Sequence, residues 1–121
     1  MKLSEIIKQF LDACENYRKQ YDFNFELVGK CDKITCDFLH NLELNKLTTR
    51  ERSKLTTAER KNRLERRKAK DIVEITEPLK NFLNTPEGIK AIKMLKQVLG
   101  ETRKAEKYHE NRVYIDRNKE K

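Results

Sequence analysis

Apolar residues recur three and four apart through most of this chain, and that spacing dictates helices. Ile6, Ile7, Phe10, Leu11, Cys14, Tyr17 and Tyr21 gather on one side of a 3.6-residue turn, with Ser4 placed as an N-cap. A helix is expected over residues 4–21. Residues 22–30 disturb the rhythm. Phe23, Phe25 and Leu27 alternate with polar residues and Gly29 marks a turn, so this stretch admits either a continued helix or a short strand. A shorter helix is expected over residues 32–44, with Ile34, Phe38, Leu39 and Leu42 on one side.

Two copies of one capping signal follow, Leu47-Thr48-Thr49-Arg50-Glu51-Arg52 and Leu55-Thr56-Thr57-Ala58-Glu59-Arg60. In each, a Thr hydroxyl can accept from the N3 amide while the N3 Glu reaches back. The first reads as a single turn and the second as the start of the longest helix, over residues 57–84. Pro78 lies inside it and cannot donate to the carbonyl of Glu74, so a kink is expected. The next helix, residues 85–100, is punctuated at both ends: Thr85 as cap, Pro86 as first residue, Gly100 as terminator. Ile89, Ile92, Leu95, Val98 and Leu99 form its apolar stripe. Glu101 to Glu110 is polar and compatible with further helix. Residues 111–117 alternate polar and apolar residues and are a strand candidate. The fold class is therefore all-α, with a short C-terminal β-ribbon at most.

Composition sets the outer limits. The chain has 121 residues, room for a single domain over 1–121, and 40% of them are charged against roughly 25% in an ordinary domain. No run of about 18 apolar residues is present to span a membrane, and Glu5 and Asp12 argue against a signal peptide at the N-terminus. Three Cys suggest a reducing, cytoplasmic setting, and three Gly are too few for a Gly-rich phosphate cradle. The formal charge of +8 is local, since residues 50–70 carry ten cations against three carboxylates.

Catalysis and metal binding find little support. Cys31, Cys36 and His40 have a C-x4-C-x3-H spacing but lack a clear fourth ligand, so the expectation is no metal and no cofactor. The carboxylates are interleaved with Lys and Arg as on solvated helix faces, so the expectation is no enzyme. Two cationic regions remain. On a helix, Arg60, Arg63, Arg67 and Lys70 share one face and would suit phosphates of nucleic acid, although a solvated helix uses the same residues for solubility. The C-terminal segment combines Arg103, Lys104, Lys107, Tyr108, His109, Asn111, Arg112, Tyr114 and Arg117. Rings that stack on a base, guanidinium groups for phosphate and an amide for a base edge or ribose are the parts of a nucleotide pocket. A basic tail packed on a helical bundle accounts for the same composition.

A family resemblance rests on four blocks. They are residues 32–44, Asp32-Lys33-Ile34-Thr35-Cys36-Asp37-Phe38-Leu39-His40-Asn41-Leu42-Glu43-Leu44, and residues 59–71, which open Glu59-Arg60-Lys61-Asn62-Arg63-Leu64. Glu77-Pro78-Leu79-Lys80-Asn81-Phe82-Leu83 and the stretch from Leu99-Gly100-Glu101-Thr102-Arg103-Lys104 to Asn111-Arg112-Val113-Tyr114-Ile115-Asp116-Arg117 complete them. About three quarters of the chain thereby resembles small phage and prophage proteins of Gram-positive bacteria, within them the first Thoeris anti-defence family. The resemblance implies a non-catalytic sponge that sequesters a cyclic ADP-ribose-type signal in the host cytoplasm. It also implies dimers or larger homo-oligomers with pockets at subunit contacts. Phe82 would then be the wall for the adenine, with Arg112 and Arg117 on phosphate or ribose. Tyr114 and Arg103 join them as candidate ligand contacts from their chemistry. The residues before Asp32 lie outside the resemblance, and Asp116-Arg117-Asn118 departs from the family's usual ending. Two other functions compete: a basic helical nucleic-acid-binding accessory protein using the 50–70 helix, and a protein inhibitor that covers an acidic or guide-binding surface.

Overall fold

A computed structural model describes residues 1–114 as three helices and no strand: α1 (Leu3–Leu44), α2 (Thr49–Asn84) and α3 (Pro86–Asn111). The all-α class holds. By contact the chain forms two compact units, one of Met1–Cys14 with the chain from Leu83 onward, the other of Glu15–Phe82.

The two N-terminal helices expected over 4–21 and 32–44 are one helix, and residues 22–30 continue it. The reason is a pattern longer than the local one. The covered positions Ser4, Ile7, Leu11 and Cys14, then Tyr21, Asn24, Val28, Cys31, Thr35 and Phe38, keep spacings of three and four, or seven where one turn is skipped. This heptad pattern passes straight through the disturbed stretch, placing Asn24 and Val28 in register while Phe23 and Phe25 stay exposed. Asn24 is buried, and its amide donates to the Gln20 carbonyl at 2.8 Å, one turn back on the same helix. Gly29 sits inside the helix with no left-handed backbone, so it terminates nothing.

The capping signals exchange roles. Thr48 is the cap of α2, its hydroxyl accepting from the Glu51 amide at 3.2 Å. The second copy lies within the helix, where the Thr56 and Thr57 hydroxyls donate back to the Arg52 and Ser53 carbonyls at 2.8 and 2.9 Å. That is the side chain's alternative when no free helix end is available. Helix α2 thus begins at Thr49 rather than residue 57, and α1, not α2, is the longest helix. Helix α2 carries Pro78 in its interior without ending.

In the Glu15–Phe82 unit, α2 packs antiparallel on the later part of α1. Its contact row is Leu55, Glu59, Asn62, Arg66, Ala69, Val73, Thr76 and Lys80, again spaced four and three. Cys31 and Ala69 are each only 1% exposed. Small side chains at the centre of the seam let the backbones approach. Polar bonds fix its register: Asn62 donates to the Cys31 carbonyl at 2.9 Å and to the Thr35 hydroxyl at 3.2 Å, and Thr35 donates to Glu59 at 2.5 Å. Arg66 pairs with Asp32 at 2.6 Å, and Lys80 lies 3.0 Å from Asp22 and 3.9 Å from the centre of the Tyr21 ring.

The other unit pairs the start of α1 with α3. Thr85 caps α3 by accepting from the Gly88 amide at 3.0 Å, and Pro86 follows as expected. The helix does not stop at Gly100 but runs to Asn111. Continuation places Thr102 and Glu106 on the same side as Gly88, Ile92, Leu95 and Leu99, where they are partly covered. This packing outweighs the roughly 1 kcal/mol intrinsic penalty of glycine in a helix. Opposite them α1 offers Ser4, Ile7, Leu11 and Cys14. The backbone amide of Ser4 donates to Glu106 at 3.1 Å, and Lys2 pairs with Glu110, so the helices run antiparallel. Both carboxylates thus meet the positive end of α1, the favourable pole for an anion. In place of the expected strand, Asn111 ends α3 and Arg112 is extended at φ −70°, ψ 128°. No strand ladder is formed among the described residues, and residues 115–117 of that expectation lie outside them.

Candidate anion-binding groove

The last two turns of α3 create a groove of about 360 Å³ lined by Lys104, Lys107, Tyr108, Asn111 and Arg112. Helical spacing assembles four of these residues. Positions 104, 107, 108 and 111 share a face, and Arg112 closes one end where the chain leaves the helix. Tyr108 is exposed and meets the His109 ring edge-on at a centroid separation of 5.2 Å.

The local charges favour an anion. Glu106 and Glu110, the carboxylates nearest in sequence, are engaged by Ser4 and Lys2. Hydrogen bonds from the Ser4 side chain, then its backbone amide, hold the Glu106 carboxyl below its ordinary value near 4.5. Lys104, Lys107 and Arg112 are not neutralised by these acids. They face an opposing effect, because the C-terminus of a helix carries roughly half a negative charge. Three cations outweigh that half charge.

The sequence-derived ligand residues divide unevenly. Arg112 lines the groove. Arg103 is on α3 but about 100° around the helix from Lys104, and it does not line the groove. Tyr114 is 85% exposed, beyond the groove lining. Phe82 belongs to the Glu15–Phe82 unit, near the end of α2 and about half exposed. Arg117 lies outside the described residues. Lys104, Lys107, Tyr108 and Asn111 carry the right chemistry in the sequence, but a strand beginning at residue 111 conceals their shared face. Reading 101–111 as helix exposes the three-and-four spacing.

The second cationic feature is on α2. Arg60, Arg63 and Arg67 are exposed and Lys70 half-buried, on the side away from Asn62 and Ala69. Among the described residues, Arg66 is the one member of the 50–70 basic run held in an ion pair. Arg60 to Lys70 covers about 15 Å of helix.

Cys14 and Cys31 are buried thiols whose pKa is pushed up, chiefly by desolvation, which disfavours the reactive thiolate. Among the described residues no group of three His, Cys, Asp or Glu side chains is placed to hold a metal ion, and no helix is long and apolar enough to cross a membrane. No protein family, curated protein or solved structure matches the chain.

Proposed function

We propose that this chain is a non-catalytic phage-type protein that sequesters a cyclic ADP-ribose-type nucleotide and so blocks an anti-phage signal in the bacterial cytoplasm. The observation that carries this reading is the α3 groove, where three cations meet a tyrosine ring and an amide. Arg112 takes phosphate oxygens in a bidentate bond, with Lys104 and Lys107 as point charges beside it. Tyr108 stacks on the adenine, and Asn111 reads a base edge or ribose hydroxyl. Phe82, Arg103, Tyr114 and Arg117 remain candidates by chemistry alone. Sequestration requires enclosure, and a groove along one helix is open on its outer side. The reading therefore includes a homo-oligomer in which a second copy helps to close the site.

Calorimetry with cyclic ADP-ribose isomers tests it. Micromolar or tighter binding by at least one isomer is expected, and Arg112→Ala should weaken it at least tenfold while leaving the circular dichroism unchanged. Absence of heat with every isomer at micromolar protein sinks the reading.

The face of exposed Arg60, Arg63 and Arg67 with half-buried Lys70 favours a second reading, binding of nucleic-acid phosphates by a phage or mobile-element accessory protein. Four such contacts should lose affinity by about 100-fold between 50 and 200 mM salt. A nucleotide in the α3 groove involves fewer phosphates and should respond far less.

A further inference from the structure

Within the Glu15–Phe82 unit, the two open sides of the α1–α2 pair carry different chemistry. One position before the covered residues of α1 stand Gln20, Phe23, Leu27, Lys30, Ile34 and Asp37. One position before those of α2, from Asn62 onward, stand Lys61, Glu65, Lys68, Ile72, Ile75 and Leu79. Because the helices run antiparallel, an equal rotational offset on each falls on the same side of the pair. This side joins apolar residues to lysines. One position after the covered residues, the other side sets Arg60, Arg63, Arg67 and Lys70 against Asp22, Asp32, Glu74 and Glu77.

The apolar–lysine side is most concentrated between the Asp22–Lys80 and Asp32–Arg66 ion pairs. There Phe23, Leu27 and Lys30 of α1 lie beside Lys68, Ile72 and Ile75 of α2. Leu27 and Ile72 are half-buried against the seam, while Phe23 and Ile75 project from it, 66% and 77% exposed. No carboxylate of this side falls in that stretch: Asp37 and Glu65 lie beyond it. Glu26 and Asp71 stand about 100° further round their helices, off this side. Large apolar side chains projecting beside lysines match the boundary layer of an anionic bilayer. Rings and branched chains can enter the acyl boundary, and the long lysine stem lets each ammonium reach headgroup phosphates. Cys31 and Ala69, at 1% exposure, draw the helices together into one shallow face, better suited to a planar surface than to an inserted peptide. A second copy would set lysine against lysine.

We propose that this side of the α1–α2 pair is a peripheral docking surface for an anionic phospholipid membrane. Phe23 and Ile75 enter the acyl boundary, and Lys30 and Lys68 meet headgroup phosphates. The chain lies on the membrane, since no described helix is long and apolar enough to cross one. The contact uses no residue of the α3 groove, so it and the nucleotide reading can fail separately.

The sequence contains no Trp, so a single introduced one reports its own surroundings. Phe23 and Phe25 are two residues apart, 66% and 61% exposed, and on opposite sides of the pair. The full chain is mixed with vesicles of equimolar phosphatidylglycerol and phosphatidylcholine. Phe23→Trp should then shift its emission to shorter wavelength, and Phe25→Trp should not. Cosedimentation with these vesicles should be at least tenfold stronger than with phosphatidylcholine alone. Ile75→Glu should weaken it at least tenfold, and Lys68→Ala about fivefold, the worth of one lysine at an anionic surface. Arg52→Ala, on the other side of α2, should change it less than twofold. Circular dichroism should be unchanged in every variant, because each altered side chain is exposed. Absence of binding, or equal binding to both kinds of vesicle, overturns the proposal. An emission shift in Phe25→Trp equal to that in Phe23→Trp also overturns it. If Arg52→Ala weakens binding as much as Lys68→Ala, net charge alone draws the chain to lipid and the assigned side falls.

Discussion

The two helix pairs solve one problem with different materials. The pair in the Glu15–Phe82 unit is pinned by polar groups: Asn62 on the Cys31 carbonyl, Thr35 on Glu59, Arg66 on Asp32 and Lys80 on Asp22. The α1–α3 pair buries Cys14 and Leu99, and a polar bond between Ser4 and Glu106 closes one end. Polar bonds specify register well but contribute little net stability, because each exchanges for a bond to water. Even within the first pair, Glu59 Oε2 and Asn62 Oδ1 are buried without a partner among the described residues. The first pair therefore takes its register from these bonds across a seam of small buried side chains, Cys31 and Ala69, and the second relies more on burial of the larger Leu99. The surface left over differs accordingly: cationic along α2, apolar along α1 and α3.

The largest effect should come from the apolar pair. Leu99→Ala is expected to cost about 3 kcal/mol of folding stability in urea denaturation, by transfer and cavity terms together. A loss below 1 kcal/mol would show that this seam is not closed by burial. In the polar pair, Asn62→Ala should cost about 1–2 kcal/mol, for a lost bond and an exposed gap beside Cys31. If it matches Leu99→Ala or exceeds it, the contrast between the pairs disappears.

A smaller effect of opposite sign is expected at Gly100. A Cβ there meets nothing within 4 Å, so Gly100→Ala should stabilise the chain by about 0.5–1 kcal/mol, read as a higher denaturant midpoint. Destabilisation would mean that α3 needs the glycine as a break. The smallest effect is acid dependence. The folded Glu106 carboxyl is held below its ordinary value by the Ser4 hydroxyl and amide. A depressed acid contributes fully above its unfolded pKa, and the contribution disappears as pH falls through the folded one. Denaturant midpoints should therefore decline slightly more between pH 5 and 3 in the unaltered chain than in Glu106→Gln. Equal slopes would remove Ser4–Glu106 as a tie between α1 and α3.

Some of this was readable from residues alone because it depends on nearest neighbours. Thr85 and Pro86 start α3 for local reasons, a hydroxyl that reaches an orphan amide and a ring that needs no donor. The same local reading left two boundaries open and misplaced a third. It could not choose between helix and strand over Phe23, Phe25 and Gly29, put a terminator at Gly100 with 101–110 only compatible with further helix, and started α2 at the second Thr-Thr-x-Glu signal instead of the first. In each case a weak local preference competed with a seam continuing on both sides, and the seam prevailed. The groove was half legible. Its cations, ring and amide were recognisable by chemistry, but their common face required residues 101–111 to be helical.

The sequence by itself determined that the chain is helical, that its positive charge is concentrated in residues 50–70, and that cations, tyrosine rings and an amide gather near the C-terminus. Spacing and composition are properties of neighbouring residues, and no partner is needed to express them. Tertiary structure alone decided which apolar rows were covered. A helix such as α1 carries adjacent rows at Leu3, Ile6 and Phe10 and at Ser4, Ile7 and Leu11. The antiparallel approach of α3, fixed by Ser4–Glu106 and Lys2–Glu110, selects the second row and leaves the first exposed.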